Sequence, residues 1–426
     1  MSFYIPTSYS YSVVAKCILF FSFFILGFPL DGQLGTFSAG SMYIEGEVLD
    51  VIADNKNEKI KLVAMTTWGS LYILTFLLYF KRSGSVHNIF YTLPSFTVFL
   101  IYMFFSAIWA ADTVRGVFEV SQLIGALVFI FFITRYYSGR FTILISHLAI
   151  AFGTAQLLSI FFVIALPHIG IAPNGRWCGV YGAPNYFGVL AFFSIWANVA
   201  VLKVIRPEKR NIFIIFSIVS IINLLGTNSV TSILCTLLSL SLMYAWPKLF
   251  LKNQRSRVNR AICVLLLMFI GLGFLFGVFD TLLESVLSSF GRTANLSGRS
   301  YIWGEAIYMI MQEPFLGHGF GSILTLAKIE RLNDLHSFYI TTLFYGGLVG
   351  LILFLFVVFE IVSNVMNTQV SSCDVKRIFV PVLIGILVYS VTETALYSAR
   401  SPIYLVFIIA IVNLKFISQD VRELYD

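Results

Sequence analysis

Charge is scarce in this sequence. Asp, Glu, Lys and Arg make up 12% of the 426 residues, whereas hydrophobic residues make up 58%. Soluble domains carry more charge and less apolar surface, so a water-soluble domain is excluded as the main architecture. The mean hydropathy of +0.88 indicates a chain whose principal solvent is the hydrocarbon of a bilayer.

Other features are missing as well. The first apolar segment has neither a basic leader nor an Ala-x-Ala-like cleavage site, so we expect a retained helix and not a removed signal peptide. Of the five cysteines, only Cys178 is predicted to lie in an outer loop, so neither a disulfide nor a CxxC metal site is expected. No linker rich in Pro, Gly or Ser divides the chain, which we expect to form one polytopic membrane domain over residues 1–426.

Apolar runs that suit a bilayer recur along the whole chain. A helix needs roughly 18 to 25 such residues to cross the hydrocarbon, and by this measure the sequence predicts an all-α integral membrane protein with about twelve transmembrane helices. The predicted spans are Val13–Leu30, Leu62–Phe80, Phe90–Trp109, Phe118–Thr134, Phe141–Ala165, Tyr186–Val204, Ile212–Leu225, Val230–Tyr244, Ala261–Phe279, Ser337–Val362, Ile378–Val391 and Ile403–Phe416.

Lysine and arginine are concentrated in alternate loops, for example in residues 203–210 and 248–260. Because short cytoplasmic loops retain positive charge, these loops and both termini are predicted to be cytoplasmic. The other loops are short and poor in charge, apart from residues 31–61 and a long outer loop over residues 280–336. The net charge of +7 therefore follows from topology and requires no nucleic-acid partner.

The long outer loop contains a predicted amphipathic helix from Arg299 to Gln312, which Pro314 ends. Its apolar stripe consists of Ile302, Trp303, Ala306, Ile307 and Ile310. Such a helix suits a position along the membrane surface, with its polar side toward a site.

Ionisable residues are nearly absent from the centres of the predicted spans, and Glu119 and Glu360 lie near span ends. An ion-coupled carrier would need such groups at the midplane, whereas charges on one side indicate a reaction centre at that surface. The predicted outer cluster consists of Arg176, Arg292, Arg299, Lys328, Glu330, Arg331, Asp334, His336, Glu393 and Arg400.

Three motifs follow one another on the predicted outer side. The first is residues 175–185, which contain Arg176, Gly179, Pro184 and Asn185. The second is residues 297–303, Ser-Gly-Arg-Ser-Tyr-Ile-Trp, continuing to Pro-Phe-Leu-Gly-His-Gly at 314–319, and the third begins at His336 and continues to residues 345–350. In this order they resemble the elements of the O-antigen ligase and O-antigen or exopolysaccharide polymerase superfamily, over roughly residues 118–362.

The resemblance implies a GT-C-like membrane glycosyltransferase of the bacterial inner (cytoplasmic) membrane, with its active site facing the periplasm. It implies an undecaprenyl-type polyprenyl-diphosphate-linked oligosaccharide as donor, and a lipid-linked repeat unit or a lipid A core sugar as acceptor. No nucleotide sugar, cofactor or metal is implied, and the partners it suggests are a flippase and a chain-length regulator. One position departs from the family, because Ser337 follows His336 where many members carry Asn.

Arg299 and Arg176 are the predicted diphosphate ligands. The arginine fork can bind two phosphate oxygens at once, and Arg299 falls in the first turn of the predicted surface helix, where backbone N–H groups attract anions. Arg176 stands alone in a short outer loop, and the alternative for both arginines is contact with lipid headgroups. Arg292, Asn185 and Tyr301 complete the predicted substrate-binding residues, although Asn185 also suits capping of the following span.

His336 is predicted to orient or deprotonate the acceptor hydroxyl, since imidazole can accept a proton near neutral pH; a structural role is the alternative. With Arg176 and Arg299 stabilising the leaving diphosphate, a single displacement would invert the anomeric carbon without a metal ion. The motif glycines, with His318 between two of them, are predicted to serve turns and close packing.

A polymerase is favoured over a ligase because residues 109–185 look most like exopolysaccharide polymerases. A transporter or flippase for lipid-linked sugars is the alternative from another class.

Overall fold

A computed structural model describes residues 69–70, 73, 87–137, 140–204, 210–249, 299–326, 334–367, 373–399 and 401–422. Its longer helices are α1 (Pro94–Ser106), α2 (Thr113–Tyr136), α3 (Phe141–Ala165), α4 (Pro184–Val204), α5 (Arg210–Thr227), α6 (Val230–Leu249), α7 (Arg299–Ile310), α8 (Phe338–Asn367), α9 (Cys373–Tyr389) and α10 (Pro402–Arg422). Short helical turns lie at His87–Thr92, Ala107–Trp109, Pro167–Gly170, Ile323–Leu326 and Ala395–Tyr397.

The prediction of an all-α membrane protein is confirmed. The described residues contain no strand beyond an isolated bridge between Ile171 and Trp177. Within the described ranges, five helices are long and apolar enough to cross a membrane: Thr113–Arg135, Phe141–Ala165, Pro184–Val204, Arg210–Thr227 and Phe338–Met366. Shorter apolar helices lie at Pro94–Trp109, Val230–Trp246 and Pro402–Lys415.

The predicted boundaries are close to the observed ones where they can be compared. α3 has the bounds predicted for its span, and α5 extends beyond the predicted segment at both ends. α1, α4 and α10 each begin at a proline, a residue that suits the first helical position because the N–H there has no partner within the helix. The spans predicted at Val13–Leu30 and Ala261–Phe279 lie outside the described residues, as does nearly all of Leu62–Phe80. The total of twelve spans stays a prediction.

The described residues fall into two compact units. The first unit comprises those within 1–82 and 129–237, and the second comprises those within 83–128 and 238–426. In the first unit α3, α4 and α5 pack on one another, and in the second α8 packs on α1, α7 and α10 while α9 packs on α10.

α5 shows why the first unit suits a bilayer. Its isoleucines at 212, 214, 215, 218, 221 and 222 are exposed, whereas Ser220, Asn223 and Thr227 are buried. Ser220 Oγ donates a hydrogen bond to Ser194 Oγ at 2.8 Å, and Asn223 Nδ2 donates to Gln156 Oε1 at 2.9 Å. A helix with its apolar side outward and its polar side paired inside the bundle is matched to lipid and not to water.

α8 is interrupted in the second unit at Gly347, whose φ of 59° and ψ of −158° are not helical. Four backbone hydrogen bonds cross from this break to residues 314–319: His318 N to Phe344 O (2.8 Å), Gly319 N to Tyr345 O (2.9 Å), Leu348 N to Pro314 O (2.9 Å) and Val349 N to Phe315 O (3.2 Å). On the α8 side these are the N–H and C=O groups that two regular helical bonds would have joined. The second and third sequence motifs therefore form one structure, here called the glycine joint (residues 314–319 and 344–349).

Two glycines make the joint possible. A Cβ atom on Gly347 would lie 2.2 Å from Phe315 O, and one on Gly317 would lie 2.5 Å from Gly347 N. Both residues also have positive φ, which glycine adopts without strain. His318 lies between glycines with Nε2 2.8 Å from Met309 O, a contact that joins it to the end of α7. The glycines thus serve turns and close packing, as their sequence context suggested.

α7 holds the end of the long loop in place. It packs on α8, and Ala306 and Ile310 of the predicted apolar stripe are buried, whereas Ile307 is exposed. Trp303 Nε1 donates a hydrogen bond to Leu335 O at 2.9 Å. The predicted helix is therefore present, and its apolar stripe is in part a packing surface within the second unit; its placement along a membrane surface stays a prediction.

Candidate functional site

Arg176 lies in the loop between α3 and α4, which a tight turn shapes. Gly175 has a φ of 77°, and the Arg176 carbonyl accepts a hydrogen bond from Ala172 N at 2.8 Å. The next residue, Trp177, donates its N–H to Gly226 O at 2.9 Å near the end of α5. These backbone contacts fix the loop from which the Arg176 side chain extends.

Two oxygens accept hydrogen bonds from the guanidinium of Arg176. Its Nε donates to Thr227 O and its Nη2 donates to Asn185 Oδ1, each at 2.8 Å. Thr227 is the last residue of α5, where helical carbonyls have no partner within the helix. These two hydrogen bonds orient the planar fork.

Asn185 occupies a different position from the capping one that the sequence suggested. α4 begins at Pro184, so Asn185 lies inside the first helical turn, and its side-chain oxygen accepts the hydrogen bond from Arg176. Arg176 and Asn185, both predicted site residues, are thus brought together in the first unit.

Cys178 lies two residues after Arg176 and is buried, with Sγ 3.3 Å from Ile169 O. Burial raises the pKa of its thiol to about 11. The thiol is therefore protonated at neutral pH and is not a nucleophile.

His336 lies in the second unit, two residues before α8, in a left-handed backbone conformation with φ of 49°. That conformation is uncommon for residues other than glycine and is typical of constrained sites. The His336 N–H donates to Asp334 Oδ1 at 3.1 Å, and Nδ1 of the ring lies 3.6 Å from Asp334 Oδ2. Thr394 Oγ1 lies 2.9 Å from both oxygens of the same carboxylate.

The two ring nitrogens of His336 have different environments. Nδ1 is buried and makes no hydrogen bond, although 39% of the side chain is exposed. The accessible nitrogen is therefore Nε2. An imidazole with Nδ1 toward a carboxylate and Nε2 toward the outside is arranged as a base that a second group orients.

Ser337 stands where many members of the family that this chain resembles carry Asn after the histidine. It precedes the first residue of α8, and its Oγ lies 3.5 Å from the N–H of Ile340. Serine and asparagine are both preferred before the first residue of a helix, so Ser337 suits this position.

The structure describes less of the other predicted site residues. Arg299 opens α7 and Tyr301 follows it, both in the second unit, and only their backbone is described. Arg292 lies outside the described residues. The predicted site residues are thus divided between the units, with Arg176 and Asn185 in the first and Arg299, Tyr301 and His336 in the second.

Asp334 and Thr394 were not among the predicted site residues. The spacing Asp-Leu-His was a usable signal for Asp334, because a carboxylate two residues before a histidine can turn back toward it. No local signal marks Thr394, which is 60 residues from Asp334 in sequence. No group of three His, Cys, Asp or Glu side chains suited to a metal ion occurs in the part of the chain that the structure describes.

Comparison with protein families gives a match to part of the chain. Residues 215–355 match the family model for O-antigen ligase, Wzy_C, which covers about a third of the chain and includes Arg299 and His336 but not Arg176. No curated protein matches the chain. The match confirms the resemblance of this chain to the O-antigen ligase and polymerase superfamily.

Proposed function

We propose that this protein is a membrane glycosyltransferase that polymerises a surface polysaccharide from polyprenyl-diphosphate-linked oligosaccharide. The observation that carries the proposal is the O-antigen ligase match over residues 215–355, because this segment contains both Arg299 and His336. The proposed location is the bacterial inner membrane, with the site on the periplasmic side, since the basic loops predict the opposite side to be cytoplasmic.

The proposed reaction is a single displacement at the anomeric carbon of the donor sugar. A bond forms from the acceptor oxygen to this carbon while the bond from the carbon to the diphosphate oxygen breaks, and its electron pair leaves with the diphosphate. The acceptor proton passes to His336 Nε2, the accessible nitrogen of the ring. Attack opposite the leaving group inverts the anomeric carbon.

Arg176 supports the leaving-group part of this mechanism. Its fork is oriented by hydrogen bonds to Thr227 O and Asn185 Oδ1, each at 2.8 Å. A preorganised positive group stabilises the negative charge that develops on the diphosphate. Together with Arg299 this would supply the charge that a divalent ion provides in other transferases, so we propose a metal-independent reaction.

The acceptor distinguishes the two activities within this class. Transfer to another lipid-linked repeat unit makes a polymerase, whereas transfer to lipid A core makes a ligase. We propose the polymerase because the region 109–185 looks most like exopolysaccharide polymerases.

The positions of two acidic residues in the second unit disfavour an ion-coupled transporter. Glu119, which pairs with Arg115 at 2.8 Å, lies near the start of α2, and Glu360, which pairs with Lys415 at 3.1 Å, lies in the last third of α8. A coupling-ion site would need such groups at the membrane midplane.

The test is an assay of purified protein in lipid nanodiscs with a polyprenyl-diphosphate-linked oligosaccharide. A ladder of lipid-linked products with two or more repeats supports the polymerase. Product only after addition of lipid A core supports the ligase, and movement of intact donor across liposomes without new glycosidic bonds supports a transporter. Arg299→Lys and His336→Ala, at matched expression, should each lower turnover while the protein stays folded.

A further inference from the structure

We propose that Asp334, held by Thr394, is a positioning residue that orients His336 as the base for the acceptor hydroxyl. This inference rests on the proposed function, since His336 is the base in that reaction. It adds two residues that the sequence motifs did not assign.

Three contacts of the Asp334 carboxylate support this role. Oδ1 accepts the backbone N–H of His336, Oδ2 lies 3.6 Å from its Nδ1, and the hydroxyl of Thr394 is 2.9 Å from each oxygen. The backbone contact and the hydroxyl together fix the plane of the carboxylate. A carboxylate fixed in this way sets the orientation of the ring beside it.

Nδ1 of His336 gains a possible hydrogen-bond acceptor, Asp334 Oδ2, from this arrangement. It is buried without a hydrogen-bond partner, and a buried polar atom in that state is costly. A small turn of the ring on acceptor binding would shorten the 3.6 Å separation to a hydrogen bond, and catalytic contacts commonly tighten in this way in the substrate complex. With its proton on Nδ1, the ring presents the lone pair of Nε2 to the acceptor.

The proton then has a defined route. The acceptor hydroxyl transfers it to Nε2 as the oxygen bonds to the anomeric carbon, and the resulting imidazolium is stabilised by the negative charge of Asp334. In this route the proton stays on His336 and does not pass to Asp334.

Trp303 and Thr394 explain why the pair keeps its position. Trp303 Nε1 bonds to Leu335 O between the two residues, so α7 fixes the peptide that links them. Thr394 reaches the carboxylate from the segment between α9 and α10. Two separate elements of the second unit, α7 and the segment between α9 and α10, therefore hold Asp334 and His336 in place.

The experiment compares steady-state kinetics of Asp334→Asn, Thr394→Val and Thr394→Ser with wild type in nanodiscs, at equal amounts of protein that elutes as a single size-exclusion peak. Asp334→Asn should lower kcat by about 10- to 100-fold with little change in the KM for donor, because a general base contributes at least that much. Thr394→Val should lower kcat in the same direction, and Thr394→Ser should restore it because the hydroxyl is kept. Thr392→Val is the matched control, since the Thr392 hydroxyl lies near Tyr389 O, and should keep wild-type kcat.

A double-mutant cycle separates positioning from a structural role. If Asp334 acts through His336, adding Asp334→Asn to His336→Ala causes no further loss. An equal loss in both backgrounds, or wild-type kcat in Asp334→Asn, overturns the inference; should that variant not fold, Thr394→Val decides by the same criteria. Wild-type kcat in His336→Ala instead removes the base from the proposed function, and the inference with it.

Discussion

The contact between Arg176 and Asn185 allows a sharp test of diphosphate binding. The guanidinium uses Nε and Nη2 to bond two oxygens, each at 2.8 Å. In Arg176→Lys a single ammonium replaces these two nitrogens, so we expect loss of at least one charge-assisted hydrogen bond, worth about 1.5–3 kcal/mol. Loss of the planar fork at the leaving diphosphate should cost about 2–4 kcal/mol in the barrier, or roughly thirty- to a thousandfold in turnover.

Asn185→Asp distinguishes this role from a structural one. It keeps an oxygen acceptor beside Nη2 but places a negative charge against the guanidinium, so the hydrogen bond becomes stronger while the charge is neutralised. If Arg176 had only a structural role, Asn185→Asp would leave turnover unchanged or raise it. A diphosphate ligand would lose its attraction for the donor, and turnover should fall on the same scale as in Arg176→Lys.

The assay is turnover of lipid-linked donor in nanodiscs, with thermal unfolding recorded on the same samples. Asn174→Asp is the matched control, because Asn174 is exposed in the same loop and its side chain accepts from the Arg176 backbone N–H and not from the guanidinium. It adds the same charge and should keep most of the activity. Wild-type turnover in both Arg176→Lys and Asn185→Asp would refute the assignment of Arg176 to the donor.

Three further predictions concern topology, metal and the glycine joint. A cysteine at the exposed Met311 should react with an impermeant thiol reagent in intact cells, whereas one at Ser256 should not, and labelling at Ser256 would reverse the predicted orientation. Turnover should survive an excess of EDTA; loss in chelator that magnesium or manganese restores would contradict the metal-independent mechanism. Gly347→Ala should lower the yield of folded protein and its unfolding temperature, because its Cβ would lie 2.2 Å from Phe315 O at a φ of 59°. Gly304→Ala on α7 is the control, since no neighbouring atom lies within 4 Å of its Cβ, and equal behaviour of the two variants would show that the joint tolerates a side chain.

Much of the candidate site could be predicted because its chemistry is local in sequence. Arg176 and His336 stand out as polar residues at the ends of apolar runs, and their motifs follow in a recognisable order. Asn185 was predicted as a substrate-binding residue that also suits capping, because it stands next to a helix start. Its contact with Arg176 depends on how the preceding loop folds, and the pattern of residues does not encode that fold directly.

The amino-acid sequence by itself determined the membrane environment, the all-α class and the positions of the described helices, because hydropathy and proline placement act over a single turn or span. Only the tertiary structure decided which distant residues meet. Thr394 reaches Asp334 across 60 residues, and Arg176 reaches Thr227 across 51. The break in α8 is likewise stable only because residues 314–319 supply the hydrogen bonds that Gly347 interrupts. In an apolar interior every backbone group must find a partner, and which partner it finds is settled by packing between segments and not by the sequence of either one.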